Sequence, residues 1–166
     1  MVLSAMADMT RPDIVVIGCG NPNRGDDGAG IKVIARLRMR TLPDNVRIFD
    51  AGTDGMAVLY KARGASHLIV IDAMKPKGSP GAVFEVPGER LAAPPKANQG
   101  LHEFRWDHAL YAGQRIYGDD FPKMVSVFLI EAGNLDLGLE LGPEVDHATS
   151  LVADQVCQRV QAWSAT

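Results

Sequence analysis

Alternation of short apolar runs with helical patterns is the main feature of this chain. Uninterrupted or alternating apolar runs predict five strands, and apolar residues at helical spacing or helix-starting residues predict about four helices. Strands and helices that alternate in this way are typical of a parallel sheet with right-handed crossovers. The predicted strands cover residues 14–18, 46–50, 67–72, 82–86 and 125–130, and the predicted helices cover about 31–40, 55–63, 104–113 and a segment from Pro143.

Two of the runs indicate how the sheet is built. Residues 14–18 form a continuous β-branched run, which is typical of a strand covered by helices on both faces. Residues 82–86 follow a turn-rich segment with no room for a crossover helix, so we expect an antiparallel edge strand there. The pattern predicts an α/β fold with three layers, whose five-stranded, mostly parallel twisted sheet has one antiparallel strand and helices on both faces.

Length and composition narrow the class of protein. The 166 residues are 46% hydrophobic, which suits a single domain over residues 1–166, with about residues 1–12 as a disordered N-terminus. A net charge of −3 argues against a nucleic-acid partner. Cys19 and Cys157 lie far apart, and 18 apolar residues never run together, so we expect a cytoplasmic protein without membrane insertion.

The glycine-rich segment 18–30 after the first predicted strand carries the first candidate chemistry. Its position suggests a dinucleotide site, but its spacing does not match GxGxxG, and Pro22 removes a backbone donor. Asp26 and Asp27 place two carboxylates where a phosphate would lie. This acidic turn therefore favours a cation or proton transfer, and it argues against a third class, the nucleotide-binding proteins.

Asp26 and Asp27 have a structural and a functional interpretation. Acids at a helix N-terminus act as caps, and we expect one of the two to do so. A cap needs one carboxylate, so we assign function to the other and choose Asp27. Asp72 ends the third predicted strand, which neighbours the first in common doubly wound orders, so it should open onto the same crevice.

A histidine would complete this pair as a metal site. His102 follows a long loop, and one imidazole with two carboxylates suits zinc or nickel. His108 is the second choice, while Glu131 is either a further acid of the crevice or a structural residue. We interpret Cys19 as a small packing residue and Trp106 as a helix-packing residue.

At this point the chain resembles a known family, the hydrogenase maturation endopeptidases. The resemblance rests on segments 17–21, 26–30, 50–53 and 71–73 and on the histidine of segment 99–102, and it spans about residues 14–160. It implies metal recognition and catalysis by Asp27, Asp72 and His102. It also implies that the nickel is carried by the substrate, the precursor of a [NiFe]-hydrogenase large subunit, which loses a short C-terminal extension.

Several expectations complete this interpretation. After His102 the chain departs from its relatives, with Glu103 where they often have glycine, so His108 stays open as the ligand. We expect no nucleotide cofactor and a monomer. The alternative function is a non-catalytic, nickel-dependent chaperone or binding module for the same precursor.

Overall fold

The computed structural model describes residues 11–100 and 103–166. His102 and the first ten residues of the expected disordered N-terminus therefore lie outside the described residues. The strands are β1 (Ile14–Cys19), β2 (Val46–Gly52), β3 (His67–Met74), β4 (Val83–Pro87) and β5 (Met124–Glu131), and the helices are α1 (Ala29–Arg38), α2 (Gly55–Ala62), α3 (Trp106–Tyr117) and α4 (Pro143–Ser164).

The strands form one sheet in the order β2-β1-β3-β5-β4. Pairing is parallel except between β4 and β5, where Val83 lies opposite Ile130 and Pro87 opposite Ser126. The antiparallel edge strand predicted from the short connection is confirmed, and so is the adjacency of β1 and β3.

Helices cover both faces of the sheet and create two apolar cores. On β3, Leu68 and Val70 face the core under α2 and α3, whereas Ile69 and Ile71 face the core under α1 and α4. All four side chains are fully buried. A strand enclosed on both sides needs apolar residues at every position, which explains the continuous runs in the sequence.

Close packing of α1 brings a turn over the sheet's carboxyl end. A Cβ on Gly30 would lie 2.4 Å from the carbonyl oxygens of both Cys19 and Ile71, so only glycine permits this approach. The turn from Gly20 to Gly28 consequently lies over the ends of β1 and β3. That edge of the sheet is the crevice in which open α/β sheets bind ligands.

Element bounds differ from the predicted ones by at most four residues, and several strand and helix starts coincide. A 3-10 turn at Gly25–Gly28 precedes α1, which therefore begins at Ala29 rather than near Ile31. The largest difference is in α3, which continues to Tyr117. Across the described ranges, no helix has the length and apolarity needed to cross a membrane.

Candidate active site

Asp72 is a buried carboxylate held by three donors at the end of β3. Its Oδ2 accepts hydrogen bonds from Trp106 Nε1 (2.8 Å) and from the Arg105 guanidinium (3.1 Å). Its Oδ1 accepts from the backbone N–H of Ala73 at 2.8 Å. Asp72 is 4% exposed, whereas the side chain of Arg105 is 58% exposed. The carboxylate is therefore fixed in orientation, with its counter-charge on the solvent side.

Burial raises the pKa of Asp72 from 3.8 to about 6. Removal from water disfavours the charged form, and the hydrogen bond from Trp106 and the charge of Arg105 offset only part of that effect. The negative charge of Asp27 raises the pKa further, which shows that the two carboxylates interact. A carboxyl group of this kind can exchange a proton near neutral pH.

Asp27 comes from the acidic turn above β1. Its Oδ2 accepts a hydrogen bond from the backbone N–H of Asn21 at 2.9 Å, and the residue is half-buried. Gly20 has φ +133°, and a Cβ there would lie 1.9 Å from the Asp27 carbonyl oxygen and 3.6 Å from Asp72 Oδ1. The tight glycine turn thus brings the two acids to the same place, as the sequence predicted.

Asp26 holds a distant loop and does not cap a helix. Its Oδ2 accepts from the backbone N–H groups of Gly133 (2.8 Å) and Asn134 (2.9 Å), and its Oδ1 accepts from Gly142 N–H (2.7 Å). Neither the 3-10 turn nor α1 has a side-chain N-cap hydrogen bond. The prediction that Asp26 or Asp27 caps the helix that follows them is therefore wrong. Both carboxylates accept from N–H groups outside the 3-10 turn and α1.

Two cavities meet at the carboxylate pair. The first, of about 370 Å³, is also lined by Cys19, by residues 52–55 of the β2–α2 connection, and by Gln99 and Glu103. The second, of about 480 Å³, is also lined by Leu91, Leu129 and Leu135. Both cavities share the same four residues: Asp27, Asp72, Arg105 and Trp106. An extended chain lying across this junction would pass directly over the two acids.

The other candidate residues have structural contacts. His108 is buried, and its Nδ1 accepts from the backbone N–H of Arg105 at 3.1 Å, which secures the start of α3. Glu131 is buried, and its Oε1 accepts from Lys77 and Ser79 N–H, both at 2.7 Å, so it fastens the β3–β4 connection. Burial and the nearby Asp72 raise the pKa of the Cys19 thiol well above its usual value, which fits a packing role.

No group of three or more His, Cys, Asp or Glu side chains with metal-binding geometry occurs in the ranges 11–100 and 103–166. Asp27 and Asp72 form a pair within these ranges, and His102, the third expected ligand, lies outside them. Gln99 and Glu103, on either side of residues 101–102, both line the first cavity.

A family model of hydrogenase maturation proteases, HycI, matches residues 31–159. The chain belongs to this family. The matched range includes Asp72 and begins after Asp27. Members of the family are hydrolases that act on peptide bonds.

Individual relatives agree with this membership. The hydrogenase 2 maturation protease of Escherichia coli is 29% identical over 145 residues, which are 86% of this chain and 87% of that protein. HupD, a hydrogenase expression/formation protein of Bradyrhizobium diazoefficiens, is 30% identical over 92% of this chain and 80% of its own length. A match to a Methanocaldococcus jannaschii relative is 36% identical over 85 residues and spans 55% of that protein.

Solved structures give the same family and fold. The structure of the E. coli hydrogenase maturating endopeptidase HybD superposes with a TM-score of 0.75 at 27% identity, covering 90% of this chain and 92% of that one. A hydrogenase 2 maturation peptidase from a thaumarchaeon has a TM-score of 0.65 at 28% identity. The resemblance inferred from the sequence motifs is confirmed.

Two residues of this protease's site were not recognised from the sequence. Trp106, interpreted as a packing residue, does pack in the core under α3, but its indole N–H also donates to Asp72. Arg105 supplies the neighbouring positive charge. Arg105 and Trp106 are neighbours at the start of α3, after the long loop, and this was the available signal. It did not indicate which acid the two residues would bind.

Proposed function

We propose that this protein is an endopeptidase that removes a short C-terminal extension from the nickel-loaded precursor of a [NiFe]-hydrogenase large subunit. The observation that carries the proposal is the position of Asp27 and Asp72 at the junction of two cavities. A peptide across that junction has room on both sides of a scissile bond. Family membership supplies the reaction class.

Nickel enters this proposal as part of the substrate. Asp27, Asp72 and His102 are the proposed ligands, since carboxylate oxygens and imidazole nitrogen are suitable donors for nickel. The Asp27 carboxylate on the acidic turn and the Asp72 carboxylate on β3 line the same cavities, so both can contact one cation. A metal held there would polarise the scissile carbonyl or a water molecule as a Lewis acid.

Trp106 and Arg105 prepare Asp72 for this role. Both donate to Oδ2, so the carboxylate cannot rotate freely, while Oδ1 accepts from the Ala73 N–H and lies on the side of Gly20. A fixed ligand or base loses little entropy when substrate arrives. With its pKa near 6, Asp72 is also suited to act as a base, although proton transfer and metal binding need not fall to the same carboxylate.

The decisive experiment incubates the purified protein with its nickel-loaded precursor and measures the precursor's mass. We expect the loss of a C-terminal peptide with the wild-type protein, and a decrease of at least about 100-fold in processing rate for Asp27→Asn, Asp72→Asn and His102→Ala. Asp119 is an exposed acid that lines neither cavity, so Asp119→Asn serves as the matched control and should retain activity.

Each alternative has its own outcome in this experiment. An unchanged precursor mass, with nickel and the correct partner present, would refute the endopeptidase proposal. Stoichiometric binding without product would instead select the non-catalytic chaperone or binding module. Loss of processing in His108→Ala but not in His102→Ala would reassign the ligand. The cytoplasmic location and monomeric state stay predictions.

A further inference from the structure

The loop between β5 and α4 contains four leucines at alternate positions. They are Leu135, Leu137, Leu139 and Leu141, and the residues between them are Asp136, Gly138 and Glu140. Apolar residues at every second position are typical of a half-buried strand. This segment is irregular, however, and its contribution to pairing is an isolated bridge between Gly138 and Arg24.

The fold partly buries the outer two leucines and leaves the inner two exposed. Leu135 is half-buried and lines the larger cavity at the carboxylate pair. Leu141 packs against the core under α1 and α4. Leu137 and Leu139 are 79% and 80% exposed. Packing among residues 11–100 and 103–166 therefore does not account for the two inner leucines.

The backbone that presents these leucines is held in place. The Asp26 carboxylate accepts N–H groups near both ends of the loop, from Gly133 and Gly142. In the middle, Gly138 N–H donates to Asn23 O at 2.9 Å, and Gly25 N–H donates to Gly138 O at 2.8 Å. A loop fixed in this way loses little conformational entropy when a partner covers it.

The exposed leucines connect two concave surfaces. On one side, Leu135 belongs to the cavity that contains Asp27 and Asp72. On the other side, Leu139 lines a separate groove of about 420 Å³ together with Pro22 and Ile31. The leucine-bearing loop therefore lies between the candidate active site and a second groove, and it contributes a leucine to each.

We propose that Leu137, Leu139 and the groove beside them, the leucine ridge, form a docking surface for the folded body of the precursor. The inference rests on the proposed function and names a second contact region outside the catalytic cavity. A protein whose terminal segment lies over Asp72 must also cover the adjoining Leu135, and the next residues it would meet are those of the ridge.

Charge indicates the chemistry of the matching surface. Asp136 and Glu140 are exposed next to the leucines. The groove is also lined by Asp146 and by one basic residue, Lys32, so acids outnumber bases. The complementary surface should therefore be apolar with mainly basic residues at its rim. A second copy of this chain would bring these acids against acids, which disfavours self-association through the ridge. The acids equally disfavour an anionic lipid surface.

The test compares processing kinetics of the nickel-loaded precursor by wild type and by a Leu137→Ser/Leu139→Ser double variant. We expect KM to rise at least about tenfold because two leucines that the docked precursor would cover are lost, while kcat stays within about twofold. Leu137→Met/Leu139→Met should restore KM, since methionine keeps the apolar surface. Met39→Ser, at an 88% exposed position outside the lining of both cavities and the groove, is the matched control.

The outcomes separate this inference from the proposed function. If the wild-type protein processes the precursor and the serine double variant does so with an unchanged KM, the ridge proposal is wrong while the endopeptidase proposal stands. An unchanged KM together with a loss of dimers in light scattering would assign the ridge to a second copy and also overturn the inference. Failure of the wild type to process the precursor would overturn both proposals.

Discussion

Asp72 is a charged group that the fold keeps buried at a cost in stability. Its pKa in the folded protein is about 6, above its ordinary value of 3.8, so the folded state holds this proton more tightly than the unfolded state. The stabilisation that this group contributes is complete below pH 3.8 and is lost as the pH rises through about 6. At neutral pH the ionised carboxylate therefore lowers the free energy of unfolding.

Replacing Asp72 with asparagine should remove this pH dependence. We expect the free energy of unfolding of Asp72→Asn, relative to wild type, to increase by about 2 kcal/mol between pH 4 and pH 7. Urea unfolding at a series of pH values measures it. Asp119→Asn, at an exposed acid, should show a nearly constant difference. A constant difference for Asp72→Asn as well would contradict the raised pKa.

The residues of the site were predictable where they follow local patterns. Asp72 ends the buried apolar run of β3, and Asp27 lies in the glycine-rich turn that follows β1, so their place at the sheet edge follows from the apolar runs and that turn. The contacts of Arg105 and Trp106 with Asp72 could not be predicted, because they join positions 33 and 34 residues apart in the chain. The role of Asp26 likewise depends on a loop more than 100 residues later.

Two loops of the protease act as one element. The acidic turn and the β5–α4 loop are joined through the Asp26 carboxylate and through backbone bonds of Gly138 with Asn23 and Gly25. Asp26 is 2% exposed, and its three N–H partners satisfy it without a positive charge. This carboxylate therefore positions the turn that carries Asp27.

Asp26→Asn should weaken this joint and the site with it. The amide nitrogen would face backbone N–H groups, so we expect the free energy of unfolding to fall by about 2–4 kcal/mol. Urea unfolding measures the loss, and hydrogen exchange should show faster exchange at Gly133, Asn134 and Gly142. Asp136→Asn, in the same loop but exposed, is the control. Equal stability and exchange in the two variants would show that Asp26 does not hold the loop.

At the scale of elements, the sequence predicted the strands and helices but not all their ends. The apolar run of β3 stops at Asp72, yet parallel pairing with β5 continues to Met74 opposite Glu131. The α3 pattern weakens after Gly113, yet the helix continues to Tyr117. Backbone pairing thus extends beyond the residues whose side chains are buried, and hydrophobic periodicity does not report that extension.

The whole molecule is one sheet enclosed by two cores, and each core contains one of the two tryptophans. Trp106 belongs to the core under α2 and α3, and Trp163 packs against the core under α1 and α4. Both cores share β1, β3 and β5. Loss of packing in one core would expose one face of these three strands to water and so destabilise the other core as well. The described part of the chain should therefore unfold as one unit.

Tryptophan fluorescence can test this cooperativity. In Trp163→Phe the signal reports the core of Trp106, and in Trp106→Phe it reports the opposite core. We expect the fluorescence and far-ultraviolet circular dichroism midpoints to coincide within each variant. Adding Ile69→Ala, which creates a cavity on the face opposite Trp106, should shift the Trp106 transition by about 2–5 kcal/mol. Separate midpoints would show that the two cores unfold independently.

The joint made by Asp26 has a consequence for protein engineering. Transferring the segment from Cys19 to Gly30 onto another α/β scaffold would bring Asp27 but leave Asp26 as a buried charge without donors. The smallest unit that can be transplanted is therefore two separate stretches, the acidic turn and the loop from Gly133 to Gly142. By the same reasoning, a circular permutant opened within that loop would free the Asp26 carboxylate and displace Asp27, although the cut lies far from both acids in the sequence.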